Sequence, residues 1–192
     1  MILESNIARM FAALSATNEA ILYAKSPEQL FQQVCDAALG SGDFLSTAIF
    51  LLAPGTSNLQ LTAGAGGYVE SLRSIDISID ASRPEGNGLC GEAFRSQAPC
   101  VSNDYVNDER SLAWRERIAQ HPIGALAALP LLRNGQSIGV FCVSLRGAGT
   151  LDQQTIALLA RMSSNISFAL DNFDREAERK AGERAMRRLN RM

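Results

Sequence analysis

Apolar and polar positions along the chain follow two periods, one of alternate residues and one of helical steps. In GALAALPLLRNGQSIGVFCVSL, residues 124–145, two apolar runs flank Asn134-Gly135. Asn-Gly favours a two-residue hairpin turn in which both central residues take positive φ. The second arm divides into Ile138, Val140, Cys142 and Ser144 on one face, with Gly139, Phe141, Val143 and Leu145 on the other. Both faces are apolar, which predicts the centre of an antiparallel sheet covered by protein on each side. Pro130 has no N–H and asks for a bulge or an unpaired position in the first arm. Residues 44–52 and 59–65 read as earlier strands, closed by Pro54-Gly55 and by Gly64, Gly66 and Gly67. Residues 74–80 alternate, with Ile75, Ile77 and Ile79 on one side, and predict a strand with one wet face. A short strand at 99–103 brings the sheet to about six strands.

The helical period frames this sheet. Leu3, Ile7, Met10, Leu14, Thr17 and Ile21 step by four and three, and Phe11 and Leu22 widen the stripe, so the first helix is expected to touch both the sheet and a second chain. Ser26-Pro27-Glu28-Gln29 restarts a helix, with Ser as N-cap and Gln closing a capping box. Its buried face is Leu30, Phe31, Val34, Ala38 and Leu39, and Gly40 and Gly42 end it. Residues 89–96 predict a short helix, and 112–118 a helical turn within a charged connection. Thr150-Leu-Asp-Gln153 reads as a second capping box, opening the longest helix. Along that helix Leu159, Met162, Ile166, Ala169 and Phe173 form the apolar stripe, and past Phe173 an arginine-rich tail reads as a solvated face.

The pattern gives an α+β fold. A central antiparallel sheet is covered on both faces, and a long helix stands at each end. We expect a connector and dimerisation helix at 1–25, the domain proper at 26–172, and a signalling helix at 173–192 leading to a further domain.

Composition narrows the function. Of 192 residues, 46% are hydrophobic and 20% charged, which suits a folded globular domain. A net charge of −2 gives no electrostatic case for nucleic acid. No apolar run approaches the roughly 18 residues needed to span a bilayer, and no signal-type leader is present, so a cytoplasmic location without membrane insertion is expected. Cys35, Cys90, Cys100 and Cys142 show neither CxxC nor Cys/His spacing; reduced thiols and no metal site are expected.

Three stretches in order, Gly88-Leu-Cys-Gly-Glu-Ala-Phe94, Pro99-Cys-Val-Ser-Asn-Asp104 and Ala128-Leu-Pro-Leu-Leu-Arg-Asn-Gly-Gln-Ser-Ile-Gly139, resemble a GAF domain, the small-molecule sensing module of bacterial signalling proteins. The resemblance covers about residues 25–172. It implies helices on one face of the sheet, a ligand pocket with short helices on the other, and a parallel dimer through the terminal helices. Met10-Phe-Ala-Ala-Leu-Ser-Ala-Thr-Asn-Glu-Ala-Ile21 is similar to the connectors that precede such domains in diguanylate cyclases and sensor kinases, which points to cyclic di-GMP signalling. The resemblance implies ligand contacts from Phe50, Cys90, Phe94, Asn103, Asp104, Trp114, Arg115, Ile118, Ala127 and Leu129. The dimer interface is expected at Leu3, Ile7, Met10, Leu14, Ile21, Leu159, Met162, Ile166 and Phe173.

Individual residues carry two readings each. Gly86, Gly88 and Gly91 at a helix start either receive an anion or permit close packing; no phosphate-loop Lys follows. Asp104 either caps a turn or lines the pocket. Arg83, Arg110 and Arg115 either meet an anionic ligand or stay solvated. His121, alone and before Pro122, reads as a surface residue. Cys90 sits where a helix start lowers a thiol pKa, and its Gly-Leu-Cys-Gly setting is similar to that of free methionine-R-sulfoxide reductase, an enzyme of GAF fold. That enzyme needs a catalytic cysteine shortly before the hairpin, where this chain reads Arg117-Ile-Ala-Gln-His-Pro. No cysteine is followed by His, as bilin attachment requires, and the Asn-Lys-Phe-Asp-Glu set of cyclic-nucleotide-binding relatives does not assemble. The sequence therefore leads to a homodimeric regulatory domain that is not itself an enzyme, whose ligand and any cofactor stay unnamed. The alternatives are a thiol redox catalyst using Cys90 and a ligand-free dimerising spacer.

Overall fold

The computed structural model describes residues 2–41 and 43–189, with side chains from residue 7 onward. The strands are β1 (Ser46–Leu52), β2 (Leu59–Gly66), β3 (Cys100–Ser102), β4 (Ala125–Arg133) and β5 (Gln136–Leu145). They form one open antiparallel sheet in the order β2-β1-β5-β4-β3. The Asn-Gly turn joins β4 to β5 as its chemistry predicts, with Asn134 at φ 50° and Gly135 at φ 73°. The predicted irregularity falls just beyond Pro130. Pro130 pairs with Val140, and the register shifts between Leu131 and Leu132, where Ile138 is the unpaired extra residue.

One face of the sheet packs under three helices: α1 (Ile2–Tyr23), α2 (Pro27–Ser41) and α6 (Gln153–Leu189). Ser26 caps α2 by accepting from the Gln29 N–H at 3.2 Å, and the Gln29 carboxamide reaches back to the Lys25 N–H at 3.1 Å. The opening of α6 differs from expectation. Asp152 is the cap, accepting the Thr155 N–H at 2.7 Å, while the Thr150 hydroxyl donates to the Gly147 carbonyl. A carboxylate one residue from the helix start outcompetes the box because it reaches the third helical N–H directly. Gly42 and residues 190–192, parts of the predicted ends of α2 and α6, lie outside the described residues.

The helix-side core draws on Ile49, Phe141, Val143 and Leu145 of the sheet, Met10 and Ala13 of α1, Leu30 and Val34 of α2, and Leu159, Met162 and Ile166 of α6. Asn165 of α6 donates to Asn18 of α1 at 2.7 Å, and Arg133 of the hairpin donates to Asp174 at 2.6 Å. This bears on the expected dimer seam. Met10, Leu159, Met162 and Ile166 are 0% exposed, held inside the chain's own core, so they present nothing to a second copy. Ile7, Leu14, Ile21 and Phe173 are half-buried, and the side chain of Leu3 lies outside the described residues. Outward on the same helices stand Phe11 (57% exposed), Leu22 (81%) and Phe168 (62%). Helix α6 has 37 residues, about 56 Å at 1.5 Å per residue, and every side chain from 175 to 189 is exposed.

The other face carries short elements: α3 (Val69–Leu72), α4 (Leu89–Ser96), α5 (Arg115–Ile118) and 3-10 turns at Pro84–Gly86 and Glu109–Trp114. The expected strand at 74–80 is not formed, and the sheet has five strands rather than about six. That segment touches the sheet edge through one bridge, Asn58 to Ser78, while Ile75, Ile77 and Ile79 pack over the pocket-side core. Alternation fixes which side chains face inward, but it supplies no partner for the backbone.

Candidate functional site

Alternate residues of the central strands serve opposite faces, so β5 sends Phe141 and Val143 to the helices and Val140 and Cys142 to the pocket side. On that side the sheet, α3, α4 and α5 enclose a cavity of about 80 Å³. Its floor is Ala48, Phe50, Leu126 and Cys142 from the sheet; Leu89 and Cys90 come from α4, and Ile75 and Ile77 from the loop above. Tyr68, Tyr105, Ile118 and Ile123 complete the wall, and Ser71, Trp114, Arg117 and His121 stand at the mouth. The mouth leads into an outer groove of about 880 Å³ bordered by the same Ser71, Trp114, Arg117 and His121, together with Arg115, Glu116, Asp76 and Glu85.

Tight backbone packing holds this roof in place, and the glycines supply it. A Cβ on Gly91 would lie 2.4 Å from the Gly86 carbonyl and 2.7 Å from that of Ser78, and one on Gly88 would lie 2.4 Å from the Trp114 ring. The motif therefore serves close approach, and the Gly86 carbonyl is already taken by Arg95, which also donates to Ile79. The Trp114 indole N–H donates to the Asp76 carbonyl at 2.8 Å, tying the 3-10 turn to the loop. Asp108 caps that turn by accepting the Arg110 N–H, and Arg110 bridges Asp108 and Glu92 of α4. The hydrogen-bonding Arg110 side chain holds the Asp108 carboxyl below its ordinary range.

The cavity walls contain few polar groups. The Tyr68 hydroxyl accepts from Ser46 (2.7 Å) and pairs with Ser144; the two serines face each other across β1 and β5, and the Tyr68 ring stacks on His121 with centroids 4.5 Å apart. Burial raises the Tyr68 phenol pKa. Tyr105 is 6% exposed and lines the cavity, and its hydroxyl has no protein partner among the described residues. Burial also raises its phenol pKa, which keeps it a neutral donor. The Cys90 and Cys142 sulfurs lie 3.3 Å apart as free thiols, and Cys142 is held neutral by its contact with Cys90 and by burial.

Of the ten candidate ligand residues, Phe50, Cys90, Trp114 and Ile118 line the cavity. Phe94 packs on the pocket-side core without reaching it, and Arg115 borders the outer groove. Asn103 is engaged elsewhere: its side chain clamps Leu151 through both carboxamide atoms at 2.8 Å, and Asp104 accepts from Asn107. Ala127 and Leu129 face the helix-side core, one residue out of phase with Leu126 and Ala128 on the pocket side. Sequence reasoning did not single out Tyr68, Tyr105, Cys142 or Arg117 for the cavity, and it placed His121 on the surface. Among the described residues no cluster of three or more metal-binding side chains forms, and no helix is long and apolar enough to cross a membrane.

A family model described as GAF domain matches residues 24–171. The sequence matches none of the curated proteins with which it was compared. Among solved structures, free methionine-R-sulfoxide reductase from Neisseria meningitidis, in complex with its substrate, superposes with a TM-score of 0.70 at 16% identity, covering 90% of this chain and 91% of that one. The GAF domain of a phosphoenolpyruvate-protein phosphotransferase from Coxiella burnetii gives 0.71 at 13% identity, with 90% and 99% covered. The corresponding domain from Acinetobacter gives 0.63 at 14%, covering 84% and 92%. At these identities the likeness establishes the fold.

Proposed function

The chain belongs to the GAF domain family, and from that premise we propose that it is a cytoplasmic regulatory sensor domain, not an enzyme. A small molecule enters the cavity, and its presence biases the arrangement of α1 and α6 in a homodimer, and through it an output domain such as a diguanylate cyclase. One observation carries this reading. The cavity and the long helix α6 share a strand, so a shift of β4 that resettles Leu126 around a ligand also moves Ala127 and Leu129, and the Pro130 and Leu132 backbone bonded to Ser163 and Ser167, against α6. A ligand drives the change only by its differential affinity for the two arrangements.

The dimer seam consists of the outward residues rather than the buried stripe. Phe11 and Leu22 lie 22 − 11 = 11 residues apart, about three turns, and so share one face of α1. On the exposed α6 tail, Met186 (70% exposed) and Leu189 (71%) extend the apolar surface. Leu22→Glu combined with Met186→Glu leaves the core untouched and is expected to convert a dimer to a monomer in light scattering after gel filtration. A dimer that survives both changes contradicts the relay through these helices.

The Cys90–Cys142 pair favours a second reading, thiol catalysis, in which two thiols reduce a sulfoxide to a sulfide and water and become a disulfide. The neutral state imposed on Cys142 opposes it, because the attacking species is the thiolate. Incubation with free methionine-R-sulfoxide and a thiol reductant separates the readings: the sensor domain gives no methionine, and sustained turnover would establish the enzyme instead.

A further inference from the structure

The cavity is apolar along its walls and has a tyrosine hydroxyl without a hydrogen-bond partner within it and an arginine without a carboxylate partner at its mouth. Within it, the Tyr105 hydroxyl belongs to a side chain 6% exposed and has no hydrogen-bond partner among the described residues. Among the described residues the one buried side-chain polar atom without a partner is Thr155 Oγ1, so the Tyr105 hydroxyl keeps accessible surface and is free to meet a ligand oxygen. At the mouth, Arg117 is half-buried and makes no ion pair among the described residues. Its guanidinium donates to the Ser71 carbonyl and the Ser74 hydroxyl. Among the other arginines around this face, Arg83 holds Asp76 and Glu85, Arg110 holds Asp108 and Glu92, Arg73 holds Glu70, and Arg95 donates to the Ile79 and Gly86 carbonyls; Arg115 borders the outer groove without lining the cavity. No acidic side chain lines the cavity itself, and of the acids bordering the outer groove only Glu116 is free of Arg83.

We propose, resting on the sensor reading, that the cavity takes a small monocarboxylate carrying one further oxygen: the carboxylate bound at Arg117, a short apolar body in the chamber, and a carbonyl or hydroxyl oxygen at Tyr105. The planar guanidinium fork matches a carboxylate. The His121 ring, with Nε2 3.5 Å from the Ser71 hydroxyl, flanks the same spot. Size limits the body. A cavity of about 150 Å³ admits benzene, so one of about 80 Å³ admits roughly three to four carbons. Acids of four or five carbons fit this description, and larger nucleotides or tetrapyrroles do not.

The test is calorimetric titration of the full chain with four probes of nearly equal size: 4-oxopentanoate, pentanoate, pentanamide and 2-pentanone. The expected order of affinity is 4-oxopentanoate above pentanoate, and pentanoate above the two neutral compounds by about tenfold or more, the worth of a charge-assisted pair. Arg117→Gln is expected to erase the preference for the anions, and Tyr105→Phe to erase the advantage of the 4-oxo group while leaving pentanoate unchanged. Arg117→Lys, which keeps the cation, is expected to retain part of the anion preference, so loss of binding through misfolding is recognisable. Equal binding of acids and neutral compounds, or an anion preference unchanged in Arg117→Gln, overturns this ligand class and leaves the sensor cavity standing. Failure of all four probes to bind the wild-type chain overturns the proposal and counts against the sensor reading as well.

Discussion

At the scale of single residues, one carboxylate organises the wall of the site. Asp108 accepts from the Arg110 backbone and side chain at 2.8–3.0 Å and so ties the 3-10 turn under Trp114 to α4. Because the folded carboxyl titrates below its ordinary 3.8, its contribution is fully present at neutral pH and fades as pH falls below about 4. Asp108→Asn keeps a capping oxygen but removes the charge. The arginine partner is 35% exposed, so we expect a loss of about 1 kcal/mol in urea unfolding at pH 7. The gap between wild type and variant should narrow under acid. An equal gap at pH 7 and pH 3 would contradict the ion-pair account.

The same scale explains a misplacement by one residue. Continuing the two-residue turn without interruption places Ala127 opposite Cys142, since Arg133 pairs with Gln136. The extra residue at Ile138 moves the partner of Cys142 to Ala128, and every side chain upstream in β4 changes face. Pro130 signalled that an irregularity was near but not which strand carries the extra residue. That single residue decides whether Ala127 and Leu129 line the cavity, and they do not.

At the scale of elements, what was legible in the sequence is what local chemistry determines. The Asn-Gly turn, the capping box of α2, the two apolar faces of β5 and the bounds of α4 all follow from neighbours within a few residues. Residues 74–80 show the limit. Their isoleucines alternate as a strand's would, yet their placement over the cavity depends on Trp114 and Arg95, distant in sequence, holding the Asp76 and Ile79 carbonyls. Arg117 and His121 were equally illegible, because their position at the mouth depends on how α5 closes over α3. The start of α6 makes a prediction at this scale. Asp152→Ala is expected to cost about 1 kcal/mol in thermal or urea unfolding, the usual value of an N-cap. Thr150→Ala should cost less, since its hydroxyl serves only the Gly147 carbonyl. A larger loss from Thr150→Ala would restore the capping box as the true start.

At the scale of the whole molecule, a five-stranded sheet separates a small chamber from two long helices, and its central strands belong to both. The α6 tail, exposed from residue 175 to 189, exceeds what the sheet covers. All of this depends on the chamber holding a molecule. Native mass spectrometry of the full chain as purified from cells tests that most directly, against an Ala48→Phe variant whose added ring fills the chamber floor. The account predicts a discrete mass above the 20.7 kDa chain that is lost on denaturation and absent from the folded variant. Wild type and variant both flying at the bare chain mass, or carrying the same adduct, would contradict it.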